Sequence, residues 1–442
     1  ANFLHIYQPP TQKRYWIDRV TEESYRKIMK ELKKAPKAKL TLNINACLTE
    51  MLHKYGHNDV ISDIGLLAKR GQIELTASAK FHPLLTHLPK NEVVRQIGLN
   101  DVTNSRFFGS AWKPRGFFPP EMAFDYKLAN ILNELSYEWA IVDEISYGSL
   151  GKVKYNQIYR AKDLNIRLFF RERETSFKIL SAQLGTGELL VDDLSDRIKL
   201  NEYLLTGMDG ETFGHHRLGL EQLLFDIYRD SRLPTVTVSE LLKRFPTEKE
   251  VFPQPSTWAL MEKDMERNKP FSRWNDPQNK IHQKQWQLTT LAIKEVSRSK
   301  SLKARRFLDS ALHSDQYWWA SARPWWSMEM IERGAHDLLR ALKAVHGISN
   351  GTLEKANRLY IDILKIGFDW QRSGKVEELA KEEDEEIRKL TDQGLPKLKS
   401  SEIAKMVGNL NKQRIAASSE QEYERAAQFR DRIKELEENR LN

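Results

Sequence analysis

Hydrophobic and polar positions along the first half of the chain keep switching between two periods. Residues 3–7 form a short apolar run that reads as a strand, followed by the turn-forming Gln8-Pro9-Pro10. Thr21 stands where an N-cap belongs, ahead of Tyr25, Ile28, Met29 and Leu32 on one helical face, and Pro36 ends the stripe. Leu40, Leu42 and Ile44 alternate with polar residues and predict a second strand. Residues 73–77, 116–118, 139–142, 166–170 and 203–206 give five more, most of them separated by helical stretches. Residues 158–161 interrupt this order as the first arm of a hairpin. Seven strands in a mostly strand–helix alternation predict an α/β fold, either a barrel or a doubly wound sheet.

From about Thr237 the strand pattern stops and helical segments follow, among them residues 301–313 and 334–345. After about Gly374 aromatic residues almost vanish and the chain turns Lys/Glu-rich, with Gly394-Leu395-Pro396 read as a hinge. The last helix carries Ala426, Phe429, Ile433 and Leu436 at heptad-like spacing, with charges on its other faces. The expected organisation is an α/β unit over residues 1–236, an α-helical domain over 237–373 and a charged helical tail over 374–442.

Composition narrows the class without changing that outline. A length of 442 residues is too long for one compact core, and 40% hydrophobic with 30% charged residues is ordinary for a globular protein. No apolar run approaches the roughly 20 residues that span a bilayer. Cys47 is the only cysteine, so no disulfide framework exists and a reducing cytoplasm is the expected setting. The net charge of +9 admits either an acidic partner such as nucleic acid or a solvated surface; the basic residues lie among acids throughout, which favours the surface.

Both α/β architectures put their chemistry just past the carboxyl ends of the strands. Those positions hold Tyr7-Gln8, Asn45, Ser78 with His82, Glu121, Asp143-Glu144, Glu172 and Asp209-Glu211. Buried charges cost several kcal/mol unless paired, so a rim this rich in carboxylates points to function. In Gly116-Phe117-Phe118-Pro119-Pro120-Glu121 a strand runs into a Pro-Pro turn that cannot continue the ladder, which fixes Glu121 at the strand end. A surface glutamate after a turn is the competing reading. Residues 206–216 combine three glycines with Asp209, Glu211, His215 and His216. Metal ligation competes here, but adjacent histidines point in different directions and no HExxH-type spacing sets two ligands on one helix face. Retaining glycoside hydrolysis needs a nucleophilic carboxylate and a carboxylic acid that protonates the leaving oxygen. Glu121 and Asp209, past the fourth and seventh strands, could converge across a barrel mouth.

These segments resemble glycoside hydrolase family 57. The matching stretches are Leu4-His5-Ile6-Tyr7-Gln8-Pro9, Gly71-Gln72-Ile73-Glu74-Leu75 leading to His82-Pro83, the segment ending in Glu121, Met208-Asp209-Gly210-Glu211, and Asp315-Gln316-Tyr317-Trp318-Trp319 with Pro324-Trp325-Trp326. The resemblance covers roughly residues 1–370. It implies a seven-stranded (β/α) barrel followed by a helical domain, and α-glucans cleaved with retention; no metal or other cofactor is expected. It also implies Glu121 as nucleophile and Asp209 as general acid/base. Water as acceptor would make an α-amylase type of enzyme, and a sugar acceptor a 4-α-glucanotransferase or branching enzyme. A glucan-binding protein on an impaired enzyme scaffold is the alternative of another class. Where well-known members have His-Gln-Pro, this chain has Tyr7-Gln8-Pro9. Tyrosine can hydrogen-bond a sugar hydroxyl but carries no positive charge at neutral pH.

Of 11 tryptophans, eight lie between Trp258 and Trp370, and indole faces stack on pyranose rings. Trp258, Trp274, Trp318, Trp319, Trp325 and Trp326 are candidates for sugar binding, with helix–helix core as the competing role. His5, Tyr7, Gln8, Glu74, His82, Glu211, His215 and Asp315 complete the expected substrate-binding set. His282 and Trp286, four apart, read as packing and capping residues. Residues 423–433 of the tail resemble the UVR motif, a helical interaction element, which implies a helical protein partner; a helix that caps its own domain is the other reading.

Overall fold

The computed structural model describes residues 1–245, 248–392 and 400–438; the expected hinge at Gly394-Leu395-Pro396 lies outside them. Among the described residues nine strands occur: β1 Asn2–Ile6, β2 Leu40–Ile44, β3 Ile73–Thr76, β4 Gly116–Phe117, β5 Trp139–Asp143, β6 Ile158–Ala161, β7 Arg167–Arg171, β8 Thr206–Asp209 and β9 Glu248–Val251. Parallel pairing links β8-β1-β2-β3 in one sheet and β4-β5-β7 in the other. A bridge between Ala77 and Phe117 joins β3 to β4. At the other seam Glu172 donates its N–H to the Leu205 carbonyl at 2.8 Å, and Arg171 Nε bonds the Gly207 carbonyl at 2.7 Å. Seven parallel strands therefore close into a barrel, as expected. The hairpin arm β6 pairs antiparallel with β7, and β9 adds to its far edge.

Three sequence readings need correction. The seventh barrel strand starts at Thr206 rather than Tyr203, because the ladder with β1 begins at Asn2–Thr206 and runs through Gly207 and Asp209, which have low strand propensity. The first helix starts at Arg14, so Thr21 caps nothing; its hydroxyl bonds the Ile17 carbonyl at 2.6 Å inside a continuous helical run. Strand pattern does not stop at Thr237: β9 follows, exposed and charged, which hid it from an apolar reading.

Alternation inside the barrel sets the site. Phe3 and His5 of β1 turn inward onto Phe118, with ring centroids 4.8 and 4.7 Å away, while Leu4 and Ile6 face the outer helices. On the floor, helix Val238–Arg244 presents the N–H of Ser239 to Glu74 Oε2 at 3.0 Å. Helices Lys280–Arg298, Leu302–Ala311, Met328–Lys343 and Asn350–Arg372 pack with the barrel helices into one apolar core. Among the described residues no helix is long and apolar enough to cross a membrane.

Candidate active site

The carboxyl ends of β1, β4 and β8 open into a cleft of about 640 Å³. Glu121 stands on its wall with φ +61°, and Met122 follows at φ +46°. Two successive left-handed, non-glycine residues cost about 1–2 kcal/mol each, so the surroundings must hold them. They do so through a downstream strap: Phe124 and Ser256 exchange backbone hydrogen bonds of 3.0 Å in each direction, and the N–H of Trp258 reaches the Glu121 carbonyl at 3.3 Å. Trp258 then donates its indole N–H to Glu121 Oε2 at 3.1 Å.

A second downstream segment supplies the donor to the other oxygen. Pro83 and His313 form a bridge, and Ser314 donates its backbone N–H to the His82 carbonyl at 3.0 Å. The Ser314 hydroxyl thereby lies 3.2 Å from Glu121 Oε1 and 3.0 Å from His82 Nδ1. His82 stacks on Tyr7, ring centroids 4.0 Å apart, and Tyr7 donates its hydroxyl to Asp315 Oδ2 at 2.6 Å. Burial works against a charged Asp315, yet the hydrogen bond and charge of His313 hold its carboxyl below the usual range. Burial pushes the Tyr7 phenol up and the His82 imidazole down to about 4, so both are neutral. His5, hydrogen-bonded to Asn43 at 2.8 Å, is likewise kept neutral by burial and by His82.

Asp209 ends β8. Its neighbour Gly210 lies so close to β1 that a Cβ there would sit 2.6 Å from Ile6 Cγ2. One turn of π-helix, Thr21–Tyr25, aims successive side chains at this loop. Tyr25 hydrogen-bonds Glu211, Ser24 Oγ bonds the Gly210 carbonyl at 2.8 Å, and Glu23 holds His215. Glu211 Oε1 also accepts the N–H of Tyr7 at 3.1 Å. Burial raises the carboxyls of both Glu121, to about 8, and Asp209, well above the ordinary range. Nearby negative charge adds to each: Asp315 at Glu121, and Glu211 with Glu121 at Asp209. They differ in what opposes this. Glu121 has two hydrogen-bond donors, whereas Asp209 has only the charge of Arg171. Donors favour the ionised form, so Glu121 is the readier of the two to lose its proton.

The cleft brings together His5, Tyr7, Gln8, His82, Glu121, Asp209, Glu211, His215, Trp258, Asp315, Trp318, Trp319 and Trp325. Glu74 does not reach it: on the barrel floor it accepts from Thr41 and Ser239. Trp274 is fully buried behind Trp318, and Trp326 stacks on Trp370. Asp143 and Glu172 of the expected rim are structural. Asp143 pairs with Arg171 and Arg173 at 3.0 and 3.1 Å, and Glu172 caps helix Arg173–Leu180. His282 takes the Asp276 N–H at 3.1 Å and contacts the Tyr317 carbonyl, a packing and capping role. Among the described residues no group of three or more His, Cys, Asp or Glu could hold a metal ion. Trp16, half-exposed on the cleft wall, went unmarked in the sequence because its helix was expected to start later.

The profile of glycosyl hydrolase family 57 matches residues 2–253, more than half of the chain. The chain belongs to this family. Residues 404–439 match the UvrB/uvrC motif. An α-amylase of Pyrococcus horikoshii is 27% identical over 151 residues, 34% of this chain and 23% of that protein. A 4-α-glucanotransferase of Thermococcus litoralis is 25% identical over 152 residues, 34% of this chain and 22% of that protein. These alignments thus span under a quarter of the curated relatives' length. The crystal structure of the 4-α-glucanotransferase from Thermococcus litoralis superposes with a TM-score of 0.62 at 19% identity, covering 78% of this chain and 60% of that one. A family 57-type branching enzyme from Pyrococcus horikoshii gives 0.61 at 18% identity, covering 82% and 94%. At these identities the two structures share the fold.

Proposed function

We propose that this family 57 protein is a retaining enzyme acting on α-1,4-linked glucans, with Glu121 as nucleophile and Asp209 as general acid/base. The observation that carries the reading is the unequal support of two carboxyls in one cleft. Glu121 accepts hydrogen bonds from Ser314 and Trp258, which favour its anion. Among the described residues Asp209 has no such donor, and it keeps its proton through burial and like charge. Glu121 attacks the anomeric carbon while Asp209 protonates the departing glycosidic oxygen. Asp209, now ionised, takes a proton from the acceptor that releases the glycosyl-enzyme. Tyr7, Asp315 and His82 orient sugar hydroxyls as neutral or anionic partners, and Trp258, Trp318, Trp319 and Trp325 offer faces for pyranose rings. Residues 237–373 belong to the same device, since they supply Trp258, Ser314 and Asp315 to the barrel of residues 1–236. The lone buried thiol of Cys47 supports a reducing, cytoplasmic setting.

With water as acceptor the activity is of the α-amylase type. A transferase reading is favoured by two tryptophans at the cleft mouth, Trp16 and Trp325, 40% and 50% exposed, where an acceptor chain could stack. Relatives of both kinds occur, and the chemistry up to the glycosyl-enzyme is common to them. Incubation with maltoheptaose, products resolved by length and linkage, decides the acceptor. Shorter products alone mean hydrolysis, longer α-1,4 products disproportionation, and new α-1,6 linkages branching. Glu121→Ala is expected to abolish every product. Tight binding of maltooligosaccharides without turnover by the unaltered protein would sink the enzyme reading in favour of a glucan-binding protein.

A further inference from the structure

The tail does not hang free of the barrel. Helices Ser400–Ser419 and Tyr423–Glu438 form a hairpin whose Ile403, Leu410, Phe429, Ile433 and Leu436 bury one another together with Leu218. The surface beneath is shaped to receive it. A Cβ on Gly219, at φ +81°, would lie 2.7 Å from Leu410 Cδ2, and one on Gly185 would lie 2.5 Å from Met406 Cε. Polar contacts then tie the hairpin down: Lys405 Nζ to Asp226 at 2.9 Å, and Lys27 Nζ to Gln413 at 3.2 Å while it also bonds Glu221.

One contact leads from the tail to the cleft. Arg425 Nε lies 3.6 Å from Glu23 Oε1, with both side chains largely buried. Glu23 is the residue that holds His215 on the cleft wall, and its backbone carbonyl packs against Gly214, where a Cβ would lie 2.3 Å from it. The loop from Gly214 to Glu221 is therefore gripped between the π-turn and the tail.

We infer that the UVR-like hairpin is an intramolecular clamp on the acid/base loop, with Arg425 and Glu23 as positioning residues that set His215 for substrate. The apolar face that the motif would offer to a helical partner is spent on the other helix of its own hairpin and on Leu218. The inference rests on the proposed glucan activity, but its first readout does not.

Full-length Leu410→Asp sets a carboxylate against Gly219 and releases the hairpin. Hydrogen exchange is expected to quicken both at residues 400–419 and in the loop 214–221. KM for maltoheptaose is expected to rise about fivefold with kcat within about twofold, the pattern of lost binding rather than lost chemistry. Arg425→Ala raises KM in the same way, and Arg425→Lys restores it. In a Glu121→Gln background, calorimetric binding of maltoheptaose is expected to weaken with the clamp broken. Release of residues 400–419 that leaves exchange in 214–221 unchanged overturns the clamp, whatever the turnover. So does an Arg425→Ala protein with wild-type KM, a test that stands even if Leu410→Asp fails to fold. Loss of all turnover in the unaltered protein, with coupled exchange intact, would instead count against the enzyme reading alone.

Discussion

Replacing Trp258 by Phe isolates one hydrogen bond at the proposed nucleophile. The indole N–H lies 3.1 Å from Glu121 Oε2, and the ring packs 5.6 Å from Phe118, a contact phenylalanine keeps. A hydrogen bond to a charged group contributes about 1.5–3 kcal/mol. At roughly 1.4 kcal/mol per pKa unit, its loss raises the Glu121 carboxyl by about one to two units. The lower end applies, because Glu121 is 15% exposed and water can replace part of the bond. The assay is kcat/KM on a maltooligosaccharide across pH, whose acid limb reports the group that must be ionised in the free enzyme. That limb should move up by about one unit in Trp258→Phe, and Ser314→Ala, which removes the 3.2 Å bond to Oε1, should move it in the same direction. A folded Trp258→Phe protein whose acid limb stays in place would refute the assignment of Glu121 as the ionised nucleophile.

Further outcomes follow from the same geometry. Glu121 is raised to about 8 in the folded chain, so between its ordinary value near 4.5 and 8 the native state holds the extra proton. Stability is then lost as pH rises through that window, and Glu121→Gln should melt higher than wild type at pH 8, by about 2 °C or more, with the gap closing near pH 4.5. Gly210→Ala drives a methyl to within 2.6 Å of the buried Ile6 Cγ2. Overpacking of about 1–3 kcal/mol should lower the unfolding midpoint, and displacement of Asp209 should lower kcat; an unchanged midpoint would mean β1 and β8 part easily. Arg171→Met leaves Asp143 with Arg173 as its remaining guanidinium and strips the bond to the Gly207 carbonyl. Denaturant unfolding should show a loss of about 3 kcal/mol, and no loss would mean the β7–β8 seam does not depend on it. Tyr7→Phe removes the 2.6 Å bond to Asp315 but keeps the ring on His82, so a tenfold fall in kcat/KM, about 1.4 kcal/mol, is expected; wild-type kinetics would strip Tyr7 of any role beyond stacking.

Much of this architecture is legible from local pattern, because a buried parallel strand leaves an apolar run and a Pro-Pro turn leaves a fixed end. Glu121 and Asp209 were reachable by that logic. What was not reachable is what holds them. Ser314 and Trp258 are more than 130 residues from Glu121 in sequence, joined to it by isolated bridges rather than periodic elements. Tyr25 reads as part of an ordinary helix, since a π-turn adds one residue without changing composition. Glu74 misled because inward-facing positions occur at both ends of a barrel, and alternation does not tell floor from rim. Asp143 misled for a related reason: its partners Arg171 and Arg173 lie on another strand and beyond it, so the pairing is invisible to spacing.

The order in which the chain is made gives the strap and the Ser314 segment a temporal meaning. Ser314 follows Glu121 by 193 residues, and at about 5–20 residues per second a ribosome needs roughly 10–40 s to cover that interval. The barrel strands are complete only at Asp209; from there until Trp258 is made Glu121 lacks both hydrogen-bond donors, and until Ser314 is made it lacks one. A nascent chain of this protein thus carries every barrel strand well before it can act on a sugar, and a chain stalled short of residue 258 should be blind to glucan.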